Sequence, residues 1–237
     1  MSSTILEKLA WLEDRIETAC RRASRARSGV QLMAVSKQHP VESIREAAAA
    51  GVTCFGENRV QEWERKSAEL AKLSLDVHLI GHLQSNKAAK AAEIFTAVDS
   101  VDSVRLAERL SETAHKLGRT LPILLEVKLS LEESKNGFHP LHLAETIERV
   151  AALPALHIRG LMTVPPWSED PESARPCFAR LRQLRDDLLR DHPQIDLSQL
   201  SMGMSGDFAV AIEEGSTCIR IGTALFGARV PRGTPSS

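Results

Sequence analysis

Eight short apolar runs, separated by amphipathic stretches, constrain the fold of this chain more than any other feature. They are VQLMAVS (30–36), VTCF (52–55), DVHLIG (76–81), IFTAV (94–98), LPILLEV (121–127), LHIRGLM (156–162), SQLSM (198–202) and TCIRIG (217–222). Each is continuous rather than alternating, as expected of parallel strands buried on both faces. The stretches between them have helical spacing. Over 103–118, Leu106, Leu110, Ala114 and Leu117 share a face, and Gly118 supplies a stop. Over 172–190, Phe178, Leu181, Leu184 and Leu188 fall in register, and Pro176 fits only the first turns. Eight strand–helix units in 237 residues predict an α/β protein, a single (β/α)8 TIM barrel. That architecture takes roughly 250 residues. An open doubly wound sheet is the alternative. It needs a glycine-rich turn after the first strand, which here leads into SKQHP.

Ahead of the first strand, Ile5, Leu9, Leu12, Ile16 and Ala19 predict an extra N-terminal helix over 3–27. The last residues, 231–237, are polar and rich in Pro and Gly. They predict a disordered tail behind one domain over 1–230. Lys+Arg is 30 and Asp+Glu is 31, a net charge of −1. That balance argues against a nucleic-acid partner bound by broad phosphate neutralisation. No apolar run approaches the roughly 18 residues of a membrane helix. The N-terminus carries acids within an amphipathic pattern, unlike a signal peptide. Cys20, Cys54, Cys177 and Cys218 are widely spaced, so neither zinc nor a disulfide framework is expected. Reduced thiols and a cytoplasmic location follow.

Barrel sites form at the C-terminal ends of strands. The first run ends at Lys37, where partial desolvation would lower the amine pKa and favour attack on a carbonyl. The second leads into FGENRVQE, placing Glu57 and Asn58 at a helix start, with Asn58 as a cap or a ligand contact. The third leads into GHLQSNK, where His82 and Gln84 face the mouth and Ser85 or Asn86 caps the next helix. No His or carboxylate pair there has metal-ligand spacing, so no metal is expected. After the seventh run comes SMGMSGDF, and after the eighth GTALFG, both glycine-rich and both ahead of helices. Those two loops commonly bind phosphate in barrels. Arg220 interrupts an apolar strand and needs a partner, either a carboxylate such as Glu126 or a ligand acceptor. A nucleophilic lysine, a phosphate cradle and an interior arginine leave two options open. One is a Schiff-base aldolase acting on a sugar phosphate; the other is pyridoxal 5′-phosphate (PLP) bound to the lysine.

The segments AVSK (34–37), FGENRVQE (55–62), IGHLQSNK (80–87), ESKNGF (133–138), GLMT (160–163), SMGMS (201–205) and IRIGTALFG (219–227) together resemble one family, the pyridoxal phosphate homeostasis proteins of the YggS/PROSC group. The match runs in order from about residue 30 to 229. It implies a fold like the N-terminal barrel of alanine racemase, a fold-type III PLP protein without the second β-domain. It implies PLP held covalently on Lys37, with Ser201, Ser205, Gly222 and Thr223 in the phosphate loops. By the same resemblance Arg220 faces the pyridine nitrogen and Asn58 lies near the cofactor. Lys135 matches a lysine near the site that does not carry it. His82 stands where relatives often have proline, and Lys128 where they commonly have Asn, which adds a rival amine near the mouth.

An arginine donates to the pyridine nitrogen and gives up no proton at ordinary pH, so the ring stays a weak electron sink. Racemases of this fold flank the substrate with a lysine and a tyrosine, and this chain has no tyrosine. The expectation is a non-catalytic PLP carrier in vitamin B6 homeostasis. It would be a monomer that releases PLP to amines or to apo PLP-dependent enzymes. A weak amino-acid racemase is the alternative.

Overall fold

The computed structural model describes residues 3–129 and 136–227. Eight parallel strands close in sequence order, so the barrel expectation holds and the open sheet is excluded. The strands are β1 (Gln31–Val35), β2 (Cys54–Glu57), β3 (Asp76–Leu79), β4 (Ala97–Val101), β5 (Leu121–Glu126), β6 (Leu156–Met162), β7 (Gln199–Met204) and β8 (Cys218–Ile221). The helices are α1 (Ile5–Arg22), α2 (Val41–Ala49), α3 (Val60–Leu70), α4 (Ala88–Ile94), α5 (Val104–Lys116), α6 (Leu143–Ala151), α7 (Arg175–Asp191), α8 (Phe208–Glu213) and α9 (Thr223–Phe226). The proposed tail, 231–237, and Lys135 lie outside the described residues.

Helix α1 is the predicted extra helix, but it stops at Arg22 because Ser24 takes a left-handed φ of 53°. Thr4 and Glu7 form a capping box at its start. Its buried residues Leu12, Ile16 and Ala19 pack it toward α8 and α9. Those two helices are only 6 and 4 residues long, and α1 covers the barrel wall that they leave open. Ser103 caps α5, and Gly118, at φ 65°, ends its C-terminal turn as expected. In α7 the stripe of Phe178, Leu181, Leu184 and Leu188 is buried and Pro176 sits in the first turn.

Two strands are displaced from their apolar runs. β4 spans Ala97–Val101 rather than 94–98, because Ile94 closes α4 and the strand continues through buried Asp99 and Ser100. β2 extends to Glu57, so that carboxylate ends a strand rather than starting a helix. Helix α3 begins at Val60 behind Arg59, and neither Asn58 nor Arg59 caps it through a side chain. Ser85 and Asn86 form a short 3-10 turn ahead of α4, with no side-chain cap from either.

The register of β7 against β8 shifts between Ser201 and Met204. Gly203, at φ 94°, absorbs the extra residue. This bulge re-aims the end of β7 toward β8 at the rim of the barrel. On the neighbouring side, Gly160 lets β6 pass β7, since an added Cβ would lie 1.9 Å from the Gln199 carbonyl oxygen.

Candidate cofactor-binding site

One cavity of about 390 Å³ opens at the C-terminal ends of the strands. Lys37, Ser205, Arg220, Gly222 and Thr223 all line it, so five of the seven predicted contacts come together. Val35, Ile80 and the segment Pro166–Ser168 also line it, with Trp167 82% exposed.

Lys37 is half-buried in the turn that follows β1. Across the cavity, the turn Ser205–Asp207 follows β7, and Gly222 and Thr223 start α9 after β8. The two loops are joined where the Ser205 hydroxyl accepts the Ala224 amide at 3.3 Å. A Cβ built on Gly206 meets no atom within 4 Å, and one on Gly222 meets only Val35 at 3.6 Å. Protein packing therefore does not demand glycine at either place. What the missing side chains leave is room for a ligand against the backbone, the arrangement that anion cradles use.

Ser201 is a correction. It lies inside β7, fully buried, and its hydroxyl accepts from Arg220 Nη1 at 2.7 Å. It holds the arginine rather than belonging to a loop. Arg220 Nη2 donates to the Thr163 carbonyl at 2.8 Å. Neither of its hydrogen-bond partners is Glu126, the carboxylate offered as one of the two alternatives for it. Burial lowers the guanidinium pKa, while the charges of Cys218, Asp99, Glu126 and Asp207 act the other way. Burial also raises Glu126 and Asp207 above the usual carboxylate range. Asp207 accepts the Met204 amide at 2.6 Å, which fixes the turn that carries Ser205.

Asn58 is not among the residues that line the cavity, and its Oδ1 is buried and unpartnered. Gly81 lies against it, where an added Cβ would be 2.3 Å from the Asn58 carbonyl oxygen. His82 is exposed and pairs with Asp102 at 2.9 Å, and Gln84 is exposed. Lys128 is half-buried and is not among the residues lining the cavity.

Two clusters escaped the sequence patterns. Behind the turn that carries Lys37, Ser36, Glu57, Glu62 and Lys66 form a buried network. Inside the barrel, ligand atoms of Cys54, Asp76 and His78 lie within 4.8 Å of one another, a metal-like grouping that joins the Asp-x-His pair of β3 to a cysteine 22 residues earlier. Both ring nitrogens of His78 are engaged by carboxylates, Nδ1 by Asp99 at 3.0 Å and Nε2 by Asp76 at 3.2 Å. Burial disfavours the imidazolium, yet these carboxylates outweigh it and raise the pKa to about 10. Burial also pushes the Cys54 thiol up. An incoming metal would have to displace both protons, so the cluster is best described as an ion pair.

The model for the alanine racemase N-terminal domain matches residues 8–230. A pyridoxal phosphate homeostasis protein of Pseudomonas aeruginosa is 46% identical over 99% of this chain and 100% of its own length. One from Aquifex aeolicus is 44% identical over 94% and 97%. The chain belongs to the pyridoxal phosphate homeostasis protein family. Among solved structures, PipY of Synechococcus elongatus with PLP bound superposes with a TM-score of 0.84 at 46% identity, covering 94% of this chain and 100% of PipY. Alanine racemase of Clostridium difficile shares the fold, with a TM-score of 0.73 at 15% identity, over 96% of this chain and 58% of the racemase.

Proposed function

We propose that this chain binds PLP in the cavity at the barrel mouth, with Lys37 carrying it as a Schiff base. The turns at Ser205–Gly206 and Gly222–Thr223 take the phosphate, Arg220 faces the pyridine nitrogen, and Asn58 lies beside the ring. The observation that carries this reading is that Lys37, Arg220 and both glycine-containing turns line one cavity. Its volume of about 390 Å³ suits a pyridine monophosphate. The relative PipY, of matching length, has been solved with PLP bound.

Bound PLP supplies a reactive aldehyde and an electron sink. Lys37 provides the amine, the turns provide the anchor, and Ser201 and the Thr163 carbonyl hold Arg220 in place. The Arg220 guanidinium, which can only donate, keeps a ring nitrogen opposite it unprotonated. The reading is therefore a PLP carrier in B6 homeostasis rather than a robust catalyst. The sequence lacks tyrosine, the residue type that would serve as a second base. We further infer a cytoplasmic monomer that passes PLP to apo PLP-dependent enzymes. Packing of the α1 apolar face toward α8 and α9 supports the monomer. Among the described residues no helix is long and apolar enough to cross a membrane.

The test is the visible absorbance of the purified protein before and after borohydride, with the modified lysine mapped by mass spectrometry. Lys37→Ala abolishes the band and the adduct. A band that persists in that variant transfers the role to Lys128 or Lys135. Exchange of an amino-acid α-proton with solvent deuterium, at a rate matching a racemase, would overturn the carrier reading.

A further inference from the structure

Lys37 lies in a two-residue turn whose second member, Gln38, has a left-handed φ of 64°. The His39 amide closes this turn on the Ser36 carbonyl at 3.1 Å, and both neighbours of Lys37 are tied down further by side chains outside the turn. The Ser36 hydroxyl donates to Glu57 Oε1 at 2.7 Å. Lys66 Nζ donates to the Ser36 carbonyl at 3.0 Å and to Glu57 Oε1 at 2.8 Å. The same ammonium donates to Glu62 Oε1 at 2.8 Å, and that oxygen accepts the Gln38 amide. One ammonium on α3 thus gathers the residues before and after Lys37. Ser36 and Glu57 are fully buried and Lys66 is 8% exposed.

A buried ion pair is a poor route to stability, since well-packed apolar residues commonly do as well. Fixing one backbone conformation is what such a network does better than an apolar contact. None of Glu57, Glu62 and Lys66 lines the cavity. We propose that these three are positioning residues for Lys37. They clamp the backbone on both sides of it so that its amine is presented to an anchored carbonyl. The proposal rests on the reading of Lys37 given above. Attachment joins the amine nitrogen to the carbonyl carbon, the carbonyl oxygen leaves as water, and no oxidant is needed. Its extent depends on the effective concentration of the amine at the carbonyl. Loosening the turn lowers that concentration and leaves the phosphate cradle intact.

The experiment compares two ligands on the full chain, stripped of cofactor, in parent and Lys66→Met. Pyridoxine 5′-phosphate has the ring and phosphate but no carbonyl. Its Kd is expected to stay within about twofold. Borohydride-trapped PLP at Lys37, at a fixed subsaturating concentration, is expected to fall about tenfold. The Gln38 amide is expected to exchange with deuterium about tenfold faster. Glu62→Gln, a milder change, should show the same split, and Lys66→Arg should restore part of the trapping. Equal weakening of both ligands would mean general damage and would overturn the clamp. So would unchanged trapping with unchanged Gln38 exchange. If Lys37→Ala removes trapping while Lys66→Met and Glu62→Gln do not, the clamp fails and Lys37 stands. If trapped PLP survives in Lys37→Ala, the reading of Lys37 itself fails.

Discussion

His78 offers the sharpest test of how the barrel interior is charged. It faces the interior from β3, 4% exposed, with Asp99 on one ring nitrogen and Asp76 on the other. Thr96 donates to the second oxygen of Asp76 at 2.5 Å, which fixes that carboxylate. Burial works against the imidazolium, but the two carboxylates lift its pKa from 6.5 to about 10. A folded pKa above the unfolded one means that the stabilisation is complete below pH ~6.5 and is lost as pH rises toward 10. The whole shift corresponds to about 5 kcal/mol, an upper bound on what this charge contributes. Between its two pKa values the loss runs at about 1.4 kcal/mol per pH unit. Urea unfolding at pH 7 and pH 8.5 should therefore show the parent losing about 2 kcal/mol more than His78→Gln, which carries no such charge. Near pH 6 the variant should be less stable by about 3–5 kcal/mol, because Asp99 is left buried without its cation. Long-range 15N NMR of the imidazole should show both nitrogens protonated through pH 8. A ring that titrates near pH 6.5, or a stability gap that does not change with pH, would refute the assignment of a buried imidazolium.

Two further substitutions separate ligand geometry from folding. Gly81→Ala places a Cβ 2.3 Å from the Asn58 carbonyl oxygen, so the backbone of Asn58 must move. PLP affinity, measured by fluorescence titration, should fall about tenfold while Lys37 still forms the adduct, a loss on the order of 1.4 kcal/mol. Arg220→Gln should shift the visible band of bound PLP, because a ring nitrogen no longer opposed by a cation is free to protonate; an unaltered spectrum from pH 6 to 9 would remove Arg220 from the ring.

Much of this protein is legible in its sequence because the strands of a closed parallel barrel are buried on both faces and so read as unbroken apolar runs. The displacement of β4 shows where that signal stops. Asp99 and Ser100 lie within the strand, and nothing nearby in sequence says that His78, 21 residues earlier, neutralises Asp99. That Lys37, Ser205, Gly222 and Thr223 line one cavity is legible because strand ends and glycine-rich turns carry local signatures, and Arg220 stands out as a charge within an apolar strand. Ser201 falls within the seventh apolar run, yet the family resemblance assigns it to a phosphate loop; in the fold it stays inside β7. Its partner, Arg220, is set by the pairing of β7 with β8. Lys66 was invisible for a related reason. In the run QEWERKSAE on α3 it reads as one charge of a solvated helix face, whereas its acceptors come from Ser36, Glu57 and Glu62.

Arg220 shows what the interior charges are for. The neighbouring Ile219 and Ile221 bury their side chains in the main hydrophobic core, so β8 needs no cation to pack. A guanidinium that is 4% exposed costs several kcal/mol to desolvate. A simple structural role would call for a carboxylate in contact, and none of the described residues supplies one within ion-pair distance. Instead, two neutral oxygens, of Ser201 and Thr163, fix its orientation and take two of its five N–H donors. Asp99, the carboxylate that also holds His78, stabilises it only at longer range. The cation is thus rigidly aimed but incompletely compensated at the floor of the cavity that Lys37 enters. Such a group favours a neutral acceptor with an exposed lone pair over a protonated one. A pyridine nitrogen meets that condition. A pyridinium does not, so in the PLP site proposed above the same preference would keep the ring a weak electron sink.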